Sequence, residues 1–301
     1  MKRLLLALAL AAAAAATASN ASAAGILINL NFTGSVTAPQ QQTFIDAANF
    51  WSTTLTGYDY LYNVAGVAEP HSLTINVSIP YIDGAYGVLG SAGPSTATWY
   101  LNASTVAAST EAALYSTTGA MQFDSADVSM MITSNQFYPV VLHEMAHVLG
   151  FGTLWDPAYN NLYTDGTGQY AAPNALAAWK LEFNRPSDTY VPVELGGGSG
   201  TADAHWNEGN GGGDTGIVSL STGLDLSREL MTGWASSTFF VSKATIGAFA
   251  DLGYTVDYSQ AGIINYVART PEPSGLLLGA APPLLFASYH LRRRRRTMAS
   301  A

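Results

Sequence analysis

The chain has 301 residues, a net charge of −9, no cysteine and 48% hydrophobic residues. That length allows one large or two modest domains, while the absence of cysteine removes disulfides as a source of stability. The acidic balance argues against nucleic acid and anionic membranes as partners. Lys2 and Arg3, the apolar run from Leu4 to Ala16 and the small-residue site Ala21-Ser22-Ala23 have the pattern of a secretory signal, with cleavage expected before Ala24. A membrane anchor is the weaker alternative, because the stretch is short and dominated by alanine.

Past this signal, Ile26 to Phe32 alternates apolar and polar residues, which predicts a strand. Pro39 to Leu55 places Phe44, Ile45, Ala48 and Trp51 at helical spacing, and Leu73 to Ile79 alternates again. Trp99 to Leu101 and Ala120 to Phe123 are weaker strand candidates. A helix is expected from about Gln136, with Pro139 tolerated in its first turn and regularity lost at Gly150 and Gly152. Residues 151 to 230 are rich in Gly, Asn, Asp and Tyr, which predicts long loops around one short helix at Ala175 to Phe183. A last helix is predicted at Lys243 to Leu252, and a short strand at Tyr254 to Val256. The expected organisation is a signal at 1–23, a domain at 24–270 whose N-terminal lobe ends at 150 and whose C-terminal lobe is loop-rich, and a tail at 271–301.

In that tail, Thr270-Pro271-Glu272-Pro273-Ser274 precedes an almost uncharged stretch, Gly275 to Leu291, and then Arg292 to Arg296. The order resembles the PEP-CTERM sorting tail of exported bacterial envelope proteins. The resemblance implies sorting machinery as a partner, transient membrane insertion, and a secreted, envelope or extracellular-matrix location. A plain C-terminal membrane helix held by its arginines is the alternative, and Pro282-Pro283 weakens both. Without residues 1–23 and 271–301 the domain keeps 5 basic and 20 acidic residues, a net charge of −15.

The chemistry is concentrated in His143-Glu144-Met145-Ala146-His147-Val148-Leu149-Gly150. Residues four apart share a helix face, so both imidazoles can reach one metal ion, and Glu144 sits beside its open position as a general base. A catalytic zinc ion normally takes three protein ligands, which leaves one to be found. Of five histidines, His290 abuts the arginine cluster and His71 reads as a solvated turn residue at a strand entrance. His205 remains, in a glycine-flanked loop, with Glu194, Asp203 and Glu208 as alternatives. Position 153, where a short-spaced metzincin has its third histidine, holds Thr153.

Leu89-Gly90-Ser91-Ala92-Gly93-Pro94, Phe123-Asp124-Ser125-Ala126-Asp127, Gly150 to Trp155, His205-Trp206 and Glu229-Leu230-Met231-Thr232-Gly233 together resemble the leishmanolysin family over residues 85 to 255. These are metzincins with an insertion before the third histidine. The resemblance implies an α+β, two-lobed zincin fold with a small mixed sheet. It also implies one catalytic Zn2+ on His143, His147 and His205, Glu144 as base, Met231 in the Met-turn and hydrolysis of protein or peptide substrates. Asp124 and Asp127 suit turns or caps better than calcium. Trp206 and Trp234 are divided between packing and substrate contact. The family is typically cysteine-rich and kept latent by a cysteine, whereas this chain has none. The rival from another class is a noncatalytic envelope or matrix protein with a structural zinc.

Overall fold

Alternation in Leu27–Phe32 gives the first strand, β1, and Thr37 with Pro39 opens α1 (Ala38–Thr54), where the Thr37 N–H donates to the Gln40 side chain at 2.8 Å. The computed structural model describes residues 25–68, 71–103, 111–198, 200–209 and 212–267. The expected signal and sorting tail lie outside these residues. Then follow β2 (Leu55–Tyr58), β3 (Ser72–Ser78), β4 (Gly90–Leu101), β5 (Ala112–Phe123), α2 (Val128–Thr133) and α3 (Phe137–Val148). Beyond α3 come β6 (Gln169–Tyr170), α4 (Pro173–Glu182), β7 (Val191–Pro192), β8 (Phe240–Val241), α5 (Lys243–Asp251), β9 (Tyr254–Val256) and β10 (Gly262–Ile263).

The main sheet has the order β1-β3-β5-β4, with β1, β3 and β5 parallel and β4 antiparallel to β5. This small mixed sheet, with helices packed on it, makes the fold α+β, as expected. Trp99–Leu101 and Ala120–Phe123 prove to be the ends of two twelve-residue strands. Their interiors run through Gly, Ser, Thr and Ala, which fit a paired strand without marking one.

Helix α3 lies against the sheet and against α1. Gly119 of β5 permits the approach, since an added Cβ would overlap the Val148 side chain. Phe44, Phe123 and Phe137 pack edge to face where α1, β5 and α3 meet, at centroid distances of 5.3 to 5.8 Å. The Trp51 indole of α1 donates to the Leu142 carbonyl of α3 at 3.0 Å.

After α3 a second aromatic cluster forms from Phe151, Trp155, Tyr170 and Trp206, all fully buried. Helices α4 and α5 pack antiparallel and exchange caps. Glu182, ending α4, accepts from the Lys243 N–H at 2.6 Å, while Asp251, ending α5, accepts from the Asn174 and Ala175 N–H groups at 2.8 and 3.0 Å. Each carboxylate satisfies donors that a helix start leaves without intrahelical partners.

Candidate metal centre and cleft

Helix α3 presents His143 and His147 one turn apart, and the chain from Glu194 to Trp206 brings His205 to them. The three Nε2 atoms lie 3.0 Å (His143 to His147), 3.0 Å (His143 to His205) and 3.1 Å (His147 to His205) apart. Each opposite nitrogen meets a backbone carbonyl: His143 Nδ1 at Leu230 (2.7 Å), His147 Nδ1 at Phe151 (2.9 Å) and His205 Nδ1 at Thr201 (2.8 Å). A carbonyl only accepts, so each Nδ1 carries the proton and each Nε2 is left with a bare lone pair.

Three lone pairs thus face one another at hydrogen-bond distance with no hydrogen between them. Such an arrangement is repulsive unless a cation sits among them. Nitrogens held by one tetrahedral zinc ion at about 2.0–2.1 Å would be roughly 3.3 Å apart, close to the spacing seen. The donor set therefore fits zinc. It is also the one group of three or more potential metal ligands among the described residues. Burial, reinforced by His205, pushes His143 down to about 3; burial also lowers His147 strongly and lowers His205. All three are neutral at ordinary pH, the state in which imidazole binds metal.

Glu144 is 9% exposed and lines the same cleft, of about 820 Å³, as His143 and His205. Burial pushes its carboxyl up to about 8, because neutral imidazoles supply no charge to offset the lost hydration.

The turn after α3 brings His205 into reach. Gly150 has φ +115° and Gly152 φ +72°, and a Cβ on Gly152 would overlap the Ala204 backbone, next to the ligand position. Thr153, where a short-spaced metzincin has histidine, instead donates its hydroxyl to the His147 carbonyl at 2.7 Å and so caps α3. The Glu194 N–H donates to the His205 carbonyl at 2.9 Å, and the Trp206 N–H to the Met231 carbonyl at 2.9 Å. Met231 is fully buried in the turn whose neighbour, Leu230, holds His143.

The remaining candidates do other work. Glu208 is buried and accepts from the Gly233 N–H at 3.3 Å, Glu194 accepts from Gly196, and Asp203 accepts from the Tyr163 hydroxyl at 2.6 Å. None of them joins the three histidines. His71 differs from its expected solvated state: it stacks on Tyr58 at 4.2 Å and packs against Tyr100 at 3.9 Å, partners that arrive from distant strands.

Trp206 belongs to the core, while Trp234 is 54% exposed on the cleft wall. Asp124 and Asp127 act in turns and also pin the opposite rim: Asp124 accepts from Ala126, Asp83 and Gly84, and Asp127 from Tyr86. The Leu230, Phe151 and Thr201 carbonyls escape sequence reasoning because every residue has one.

The sequence profile of the leishmanolysin peptidase family matches residues 94–271, a span that includes all three histidines, Glu144 and Met231. A leishmanolysin homolog of Crithidia fasciculata is 31% identical over 142 residues, which cover 42% of this chain and 18% of that protein. The chain thus matches under a fifth of the length of that curated relative.

Proposed function

Since the chain belongs to the leishmanolysin family of metallopeptidases, we propose that it is a zinc endopeptidase, with His143, His147 and His205 as ligands and Glu144 as general base. The observation that carries this reading is the convergence of three unprotonated Nε2 atoms, each fixed by a carbonyl behind it, beside a buried carboxylate. A zinc ion there supplies Lewis acidity toward a peptide carbonyl and makes water more acidic.

The chain's own groups do the rest. Glu144 takes a proton from the attacking water and delivers it to the leaving amine, a shuttle suited to a carboxyl whose affinity for protons burial has raised. The outer edge of β4 meets the Tyr62 backbone at its Leu101 end but pairs with no named strand, and Gly90 at its start lines the cleft. The N–H and C=O groups of this edge near Gly90 can hold an extended polypeptide as an added strand. The Met231 turn supports the ligands from behind, and Trp234 offers an aromatic wall to the substrate.

The proposal extends to an exported protein of the bacterial envelope or matrix, on the strength of the signal-like residues 1–23 and the sorting-tail pattern at 271–301. The Glu144→Ala variant tests the catalytic part. Its zinc content should equal that of the wild type, while cleavage of an unfolded protein should fall by about 10²–10⁴-fold or more. Undiminished cleavage would overturn the assignment.

A further inference from the structure

We propose that Glu229 is a positioning residue for the metal centre, setting its affinity through the 229–232 turn without touching ligand or substrate; this rests on the zinc reading above. Glu229 is 1% exposed. Its Oε2 accepts from the Met231 N–H at 2.6 Å, and its Oε1 accepts from the Ser242 N–H at 2.9 Å and the Thr245 hydroxyl at 2.6 Å. Ser242 and Thr245 are the start of α5, so one carboxylate joins that helix to the turn. The Trp206 indole donates to the same Thr245 hydroxyl at 2.9 Å, which brings the residue after His205 into the network.

The turn delivers two things to the centre. The Leu230 carbonyl, one residue after Glu229, holds the Nδ1 proton of His143 at 2.7 Å and so keeps its Nε2 bare. The Met231 carbonyl, two residues after, accepts from the Trp206 N–H at 2.9 Å and fixes the register of the segment carrying His205. A turn released from Glu229 therefore loosens two of the three ligands together. Groups behind metal ligands typically change affinity by about 10–100-fold when replaced.

Glu182 provides an internal control. It is also a buried carboxylate, and it also caps the start of α5, through the Lys243 N–H at 2.6 Å, but its other partners are the Ser219 and Ser221 hydroxyls. A purely structural role would make the two carboxylates equivalent.

The test measures zinc affinity of the full chain by competition with a chromophoric chelator, with the folded fraction read by near-UV circular dichroism. Glu229→Gln places an amide N–H against groups that donate, so its affinity should fall about 10–100-fold. Glu182→Gln should lose thermal stability yet bind zinc within about threefold of the wild type. If Glu229→Gln fails to fold, Thr245→Val, which removes the hydroxyl between Glu229 and Trp206, should weaken zinc binding by a smaller factor. Wild-type affinity in a folded Glu229→Gln, or in Thr245→Val where that is the variant available, overturns the positioning role. Equal affinity losses in Glu229→Gln and Glu182→Gln overturn it as well. A wild-type protein that binds no zinc would instead overturn the metal reading itself.

Discussion

From Leu27 to Val148 most of the described chain lies in strands and helices that satisfy their own backbone, whereas among the described residues from Phe151 to Ser242 the named elements are one ten-residue helix, three two-residue strands and the short 3₁₀ turn Leu226–Arg228. The second region closes its backbone accounts with side chains. Glu182, Asp203, Asp225 and Glu229 each accept from at least one main-chain N–H, and Glu208 meets Gly233. Buried donors must be paired in either region, so a segment without ladders needs internal carboxylates in their place. Three of these carboxylates, Glu182, Glu208 and Glu229, are buried parts of the interior, and the second region should be the more sensitive to losing a single polar group.

The largest effect is expected at the centre of the second region. Trp206→Ala removes a fully buried ring that contacts Phe151, Trp155 and Tyr170, and also the donor to Thr245. It should cost about 3–5 kcal/mol, read from urea unfolding. A loss under about 1 kcal/mol would mean that the cluster is not the core of this region.

A smaller effect sharpens the contrast directly. Glu182→Ala orphans the Lys243 N–H and two hydroxyls and should cost about 1–3 kcal/mol. Asp46→Ala in α1, whose partners are the Gln42 amide and the Tyr266 hydroxyl, should cost no more than about 1 kcal/mol. Equal costs in the same denaturant titration would erase the distinction.

The mildest expectation concerns acid and an exception within the first region. The Ala126 N–H, assisted by those of Asp83 and Gly84, holds the Asp124 carboxyl down to about 2 from its ordinary 3.8. A depressed carboxyl stabilises the fold fully above its unfolded value, so this contribution should persist above pH ~4 and disappear as pH falls through ~2. Thermal midpoints recorded from pH 5 to 2 should therefore drop more steeply for the wild type than for Asp124→Asn. Parallel curves would show that the rim loop is held by something else.

The same contrast explains what could be read in the sequence. In β1, α1 and β3 the burial period is written in residue type, and α3, buried on nearly all sides, is marked by its apolar run and the glycines that close it, so these elements lie within a residue or two of where the sequence puts them. α4 and α5 also fall where they were expected. β4 and β5 were visible only at their ends, because their small polar interiors carry no period, and α2 not at all, because its six residues make fewer than two turns.

At the site, four-residue spacing singled out His143, Glu144 and His147. His205 came from a short list of histidines together with the family resemblance, and the structure brings its Nε2 to within 3.1 Å of both others. Glu229 stood in a quoted motif without a role, since its three donors come from a turn and a helix start that only the folded chain brings together. His71 was misjudged for the same reason: its tyrosine neighbours are remote in sequence.

The exchanged caps of α4 and α5 bear on how far apart the ligands can lie along the chain. With Glu182 and Asp251 clasping the two helices, the intervening segment, which holds His205 and Met231, is a loop with fixed ends. The entropy of closing such a loop rises only with the logarithm of its length, so doubling it adds about 0.6 kcal/mol. Of the residues between His147 and His205, 58 positions apart, those from Phe183 onward belong to this loop, and closure entropy constrains their number only weakly. Insertions between the clasp and the ligand should be tolerated, and for proteins built this way a fixed sequence spacing is a poorer search key for the third histidine than the pair of helices that closes the loop.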